Sequence, residues 1–112
     1  MRSLLPTLKE KKRYLAFEII SEQPIKSFSE VSNQITNSYT KFFGEIGASE
    51  AGIITMKDNY NETKQKGIIK VNNNCLDKLK TALALTKEIN RNKIIFKSLG
   101  ASGVLNKAVS YL

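Results

Sequence analysis

The chain contains no histidine, which removes the commonest general base and the commonest metal ligand from its chemistry. It has one cysteine, Cys75. A lone thiol can form no intramolecular disulfide, no zinc cage and no Cys-His nucleophile pair. Cys75 therefore reads as a small apolar residue at a helix start, and a reducing, cytoplasmic setting is expected. No Walker loop, dinucleotide-type glycine pattern or Gly-x-Ser-x-Gly elbow is present. Glu10 and Glu18 are isolated carboxylates rather than a recognisable acid-base pair. No apolar run approaches the roughly 20 residues of a membrane helix, and the first residues lack the apolar core of a signal peptide. The Asn61-Glu62-Thr63 sequon is taken as chance. These absences point away from a protein-borne active site, a metal centre and a membrane.

Negative charge is also scarce. There are 18 Lys and Arg against 10 Asp and Glu, a net charge of +8 in 112 residues. The excess is uneven. Residues 1–56 carry 7 basic and 6 acidic side chains, whereas residues 57–112 carry 11 and 4. Within the first half the cations gather in residues 1–13, leaving residues 14–56 mildly acidic. A basic arm and a basic second half around an acidic middle favour a polyanion such as RNA, DNA or an anionic membrane as partner. A merely solvated surface is the plainer alternative.

One domain spanning 1–112 is expected from the length and the ordinary apolar fraction of 41%. Residues 1–12 read as an extended basic arm. Tyr14 to Ile20 alternates as a first strand, with Leu15, Phe17 and Ile19 on one face. Ser27-x-x-Glu30 is a capping-box pattern, and Phe28, Val31, Ile35, Tyr39, Phe42 and Ile46 recur at helical spacing, predicting a helix over about 28–43. Ala51 to Lys57 and Gly67 to Val71 read as an antiparallel hairpin around the turn-rich Asp58–Glu62 stretch. Asn74 is the expected N-cap of a second helix carrying Leu76, Leu79, Ala82, Leu83, Thr86 and Ile89, ended by Asn90-Arg91-Asn92. Ile94 to Phe96 forms a fourth strand. Gly100 and Gly103 then break the chain before a short greasy helix within 102–112. The order β-α-β-β-α-β predicts an α+β, ferredoxin-like or RRM-like sandwich over 13–98, with a four-stranded antiparallel sheet and an added C-terminal helix.

In that arrangement the inward set of Leu15, Phe17, Ile19, Ile69, Val71, Ile94 and Phe96 turns Tyr14, Ile68, Lys70, Lys93, Ile95 and Lys97 to the open sheet face. RNA-recognition sheets stack bases on aromatics at this face. Here Ile68 and Lys70 stand where those rings are needed, so phosphate contact to structured RNA is the expected mode. The candidate RNA-binding residues are Lys9, Lys11, Lys12 and Arg13 on the arm, Lys66 and Lys70 on strand three, and Arg91, Lys93 and Lys97 around strand four. Ile20, Ile68 and Ile95 make an outer apolar patch, a protein interface unless the terminal helix covers it.

Four segments carry a family resemblance: Leu5-Pro6-Thr7-Leu8-Lys9-Glu10-Lys11-Lys12-Arg13-Tyr14-Leu15-Ala16-Phe17-Glu18-Ile19, Phe42-Phe43-Gly44-Glu45-Ile46-Gly47-Ala48-Ser49-Glu50-Ala51-Gly52, Lys66-Gly67-Ile68-Ile69-Lys70-Val71-Asn72 and Ser98-Leu99-Gly100-Ala101-Ser102-Gly103. In this order they resemble the archaeal and eukaryotic-type ribonuclease P protein component of the Pop-five family. The resemblance implies an RNA-recognition-like sandwich without stacking aromatics. It implies a role beside the catalytic RNA that removes the 5′ leader of precursor tRNA. It further implies that Mg²⁺ and the nucleophilic water belong to the RNA, with no cofactor on this chain, and that a TIM-barrel-like sister subunit is the protein partner. Two readings of other classes compete. An acylphosphatase-type enzyme needs a glycine-rich phosphate loop after strand one, which Ser21-Glu22-Gln23-Pro24 does not supply. A ligand-sensing or dimerisation module would use the outer isoleucines instead.

Overall fold

The computed structural model describes residues 11–25 and 27–112. In chain order they form β1 (Lys12–Ser21), α1 (Phe28–Ala51), β2 (Ile54–Thr55), β3 (Lys66–Asn72), α2 (Leu76–Leu85), β4 (Glu88–Ile89), β5 (Asn92–Ser102) and α3 (Leu105–Val109). The strands make one antiparallel sheet in the order β2-β3-β1-β5-β4. The class is α+β as expected, but the sheet has five strands rather than four.

β1 is central because its alternation serves both neighbours. Leu15, Phe17 and Ile19 are buried on one face with Ile69 and Val71 of β3 and Ile94 and Phe96 of β5. Val31, Ile35 and Tyr39 of α1 and Leu79, Ala82 and Leu83 of α2 close this core. Phe17 lies with its ring centroid 5.8 Å from that of Phe96 and 6.3 Å from that of Tyr60. Gly67 is the space that admits these rings, since a Cβ there would fall 2.7 Å from Tyr60 and 3.0 Å from Phe17. Gly67→Ala must push two packed rings aside. It is expected to lower stability by about 1–3 kcal/mol, measured as a shift of the urea midpoint at unchanged slope.

α1 starts where the capping box placed it. The Ser27 hydroxyl accepts from the Glu30 amide at 3.4 Å. The reciprocal half of the box is absent, because the Glu30 carboxylate accepts from Asn90 Nδ2 at 2.9 Å instead. Helical geometry is interrupted at Gly44, with φ 79° and ψ 169°, then resumes to Ala51. The helix predicted over 28–43 therefore corresponds to the part before the break. The second stretch carries the helix past its expected end as far as Ala51, and the strand expected over Ala51 to Lys57 shrinks to Ile54–Thr55.

The second helix is shorter than its periodicity implied. It ends at Leu85, because Thr86 turns extended and its amide bonds back to the Leu83 carbonyl. Ile89, assigned to that helix, lies in β4 and pairs with Asn92 across the turn Asn90-Arg91. Asn74 is not the N-cap; Asn73–Cys75 form a single 3-10 turn and Cys75 precedes the helix. β5 runs through Gly100 to Ser102, past the expected stop. A bulge shifts its register so that Ala16 faces Gly100 while Phe17 faces Ser98.

The outer face of the sheet is covered at its centre. α3 lies over β1 and β5 there. Tyr111 occupies the room above Gly100, where a Cβ would come within 2.8 Å of the ring. Ala16, Ile68 and Ala108 are fully buried in this second, smaller packing layer.

Candidate nucleic-acid interface

The arm enters the fold at the C-terminal end of β3. The Asn73 amide donates to the Lys11 carbonyl at 2.7 Å, continuing the β1–β3 pairing by one bond. Lys12 Nζ donates to Asn72 Oδ1, and Arg13 Nε donates to Asn73 Oδ1 at 2.7 Å. Asn72 is itself buried, and its Nδ2 donates to the Glu50 carbonyl at the end of α1. The same asparagine lies against Gly52, whose left-handed backbone (φ 59°) ends the helix. Two adjacent amide side chains thus fix two cations to a rigid strand end. Each cation keeps N–H groups free for a further acceptor.

Lys11, Lys12, Arg13, Tyr14 and Gly103 line a hollow of about 380 Å³ at this end. Lys70 is the cross-strand partner of Tyr14, so it extends the same basic end across the sheet. Tyr14 is half-buried and is the only ring among the described residues that line the hollow. Lys9 lies outside the described residues.

The remaining candidate cations are not gathered into one patch. Lys66 and Lys97 flank Glu18 from opposite sides of β1, so a carboxylate lies between them. Lys66 Nζ also donates to the Leu112 carbonyl at 3.3 Å. Lys93 pairs across β4 with Glu88, and Arg91 sits in the β4–β5 turn. These two lie at the far end of β1 from Lys12, about 30 Å away at strand rise.

Ile20 and Ile95 are register partners and are 51% and 62% exposed. With Ser21, Glu22, Lys93 and Ile94 they line a shallow hollow of about 280 Å³. Ile68, grouped with them in the sequence, is 0% exposed. Its outward register is as expected, since it opposes Ala16, but α3 and the residues after it close over it. Ile68 is therefore not part of an open surface.

A larger groove, of about 590 Å³, lies between α1 and the α2–β4–β5 connection. Sequence reasoning missed it because its members are scattered over Gln34 to Arg91 and gather only when β4 forms. Asn72 and Asn73 carry no mark in the sequence of the cations they hold. Burial pushes the phenols of Tyr39 and Tyr60 up to about 12, Tyr39 with a further contribution from Cys75 and Tyr60 from Glu62. Both stay neutral near pH 7 and offer no base. Among the described residues no group of three or more His, Cys, Asp or Glu side chains could hold a metal ion, and no helix is long and apolar enough to cross a membrane.

Residues 13–112 match the Rpp14/Pop5 family. Ribonuclease P protein component 2 of Pyrococcus furiosus is 38% identical over 106 residues, covering 95% of this chain and 86% of that protein. The component 2 protein of Thermococcus kodakarensis is 35% identical over 104 residues, covering 93% and 84%, and that of Methanosarcina mazei is 33% identical over 108 residues, covering 96% and 89%. A chain in the cryo-EM structure of yeast ribonuclease MRP superposes with a TM-score of 0.66 at 12% identity, over 92% of this chain and 86% of that one. The fold is therefore shared where little sequence is. A family match from Arg13 to the last residue, with identities above 30% along nearly the whole length, places this chain in the Rpp14/Pop5 family.

Proposed function

We infer that this chain is a protein subunit of ribonuclease P, supporting a catalytic RNA that removes the 5′ leader from precursor tRNA. The observation that carries this is the near-full-length similarity to proteins named ribonuclease P protein component 2. The strand order β2-β3-β1-β5 supports a ferredoxin-like, RRM-like reading of the sandwich, with β4 added at an edge. The basic end built on Asn72 and Asn73 supports RNA contact through phosphates, with Lys11, Lys12, Arg13 and Lys70 as its core. The chemistry, including Mg²⁺ and the attacking water, is assigned to the RNA, and the protein reduces phosphate repulsion around it. The exposed Ile20–Ile95 pair is the surface assigned to a TIM-barrel-like sister subunit, because paired apolar side chains on a charged sheet face gain most from being covered. Precursor tRNA is a partner in the assembled complex, and the cytoplasm is the compartment assigned.

Reconstituted precursor-tRNA cleavage at limiting Mg²⁺, with and without this chain, tests the reading. Addition of the protein and its sister subunit to the RNA is expected to raise the cleavage rate, and the RNA-free protein is expected to remove no leader. Leader removal by the protein alone, or an RNA rate indifferent to it, would overturn the assignment.

A further inference from the structure

The groove between α1 and the β4–β5 turn has a chemistry different from the arm. Its apolar lining is limited to Phe42 and Leu85, and the remainder is polar or charged. Phe42 is 40% exposed, and Lys41 Nζ lies 5.7 Å from its ring centroid. Lys87 and Arg91 approach from the other wall, against one carboxylate in the lining, Glu88. Gln34 and Asn37 add side-chain amides along α1. At about 590 Å³ the groove falls within the span of clefts that hold small ligands, about 300–1,000 Å³.

Arg91 occupies its place against a backbone preference. Asn90 and Arg91 have φ 49° and 68°. This is the two-residue hairpin turn whose left-handed positions favour asparagine and glycine. An arginine at the second position is strained, and such strain is found where a side chain must be presented. Asn90 is held by its bond to Glu30, which fixes the turn to α1. The floor is satisfied internally: Gln34 Nε2 donates to Ser38 Oγ at 2.9 Å, and the Ser38 and Thr86 hydroxyls are 2.7 Å apart. The groove's open hydrogen-bonding capacity therefore lies at its rim.

We propose that this groove binds an unpaired nucleotide of RNA, its base stacked on Phe42 and its flanking phosphates held by Lys41, Lys87 and Arg91. An aromatic face beside cations, with amides able to meet a base edge, is the composition of single-strand sites. A protein partner would favour a contact core poor in charge, whereas Lys41, Lys87, Glu88 and Arg91 all line this groove. The proposal rests on the ribonuclease P reading for the presence of RNA, but it is a site separate from the arm. Its Arg91 wall lies at the far end of β1 from Lys12, which makes this chain a two-point contact, duplex phosphate at the arm and an extruded base in the groove.

The test uses the whole chain and a fluorescent twelve-residue oligouridylate, with a duplex RNA of equal length as reference. Phe42→Leu keeps apolar bulk but removes the ring, and is expected to weaken oligouridylate binding at least about five-fold. Phe42→Tyr is expected to bind like the native chain. Arg91→Gly relieves the turn, so it folds at least as well, and should lower both the affinity and the salt slope, the latter by about 0.7 for one single-strand contact. Duplex binding should be unchanged in all three. Native oligouridylate affinity in Phe42→Leu and Arg91→Gly would overturn the proposal. So would native affinity combined with failed assembly onto the sister subunit, which would make the groove a protein surface. If the native chain stimulates cleavage in the reconstituted assay yet binds no oligouridylate, the groove inference falls and the ribonuclease P reading stands.

Discussion

Replacing Lys9, Lys11, Lys12 and Arg13 together by alanine is expected to remove much of the salt dependence of RNA binding. With about 0.9 of slope per duplex phosphate contact, four contacts account for on the order of a hundred-fold of the affinity lost between 50 and 200 mM salt. The variant should therefore bind weakly at 50 mM and change little on going to 200 mM. Three of the four residues are placed for this. Arg13 and Lys12 are anchored to adjacent asparagines, and Lys11 is held by its own carbonyl. Anchoring separates two effects that a charge deletion alone would merge. Asn73→Ala frees the Arg13 guanidinium while leaving every charge in place. It should weaken binding a few-fold by returning rotamer entropy to the arginine, about 0.5–1.5 kcal/mol, with the slope unaltered. A salt titration of the quadruple variant that parallels the native chain would show that the arm is only a solvated surface. A fall in slope for Asn73→Ala would show that the asparagine contributes more than position.

Much of this site was legible in the sequence, and the missing parts share one physical cause. The strand alternation at Leu15, Phe17 and Ile19 and the helical stripe from Phe28 were readable because each is a local periodicity against a single core. The outward direction of Lys70, Ile95 and Ile68 followed from the same alternation. β4 was not readable. Leu83, Thr86 and Ile89 continue a helical spacing, and Lys87 and Glu88 are good helix formers. No glycine or proline marks the change at Thr86. What decides it is the free edge of β5, to which Glu88 and Ile89 add ladder pairs with Lys93 and Asn92. The Asn90-Arg91 turn lacks the glycine that usually announces such a hairpin. Gly100 misled in the opposite sense. It looked like a chain breaker, but it stays in the strand because Tyr111 needs the space a Cβ would take. In both cases a specific contact decides, the β5 edge for β4 and the Tyr111 ring for Gly100, and local propensity lost to it.

Ile68→Lys is expected to be the most damaging single substitution on the outer face. On the pattern of the strand alone it would leave the fold intact and only weaken assembly, since Ile68 points away from the main core. The structure reverses that expectation without moving the register. Ile68 opposes Ala16, and both are sealed with Ala108 beneath α3. Lys66 and Lys70, two residues to either side on the same face, are half-buried, and Lys66 Nζ reaches the Leu112 carbonyl at the margin of the covering segment. A lysine at 68 sits at the centre of that layer and has no such margin. Leaving a charge there unpaired costs about 3–5 kcal/mol, a large part of the roughly 5–15 kcal/mol that holds a domain of this size. Ile95→Lys, at 62% exposure, is the matched control and should stay within about 0.5 kcal/mol of native. The chain has one escape, which is to release α3 and let the ammonium reach water. Hydrogen exchange distinguishes the two outcomes. Release would deprotect the amides of Ala108 and Ser110, which bond to Val104 and Asn106, while Leu15 and Ile69 in the sheet stay protected. Global loss would deprotect both sets together and lower the urea midpoint. A variant with native midpoint and native protection in α3 would mean that the helix does not close this face in solution.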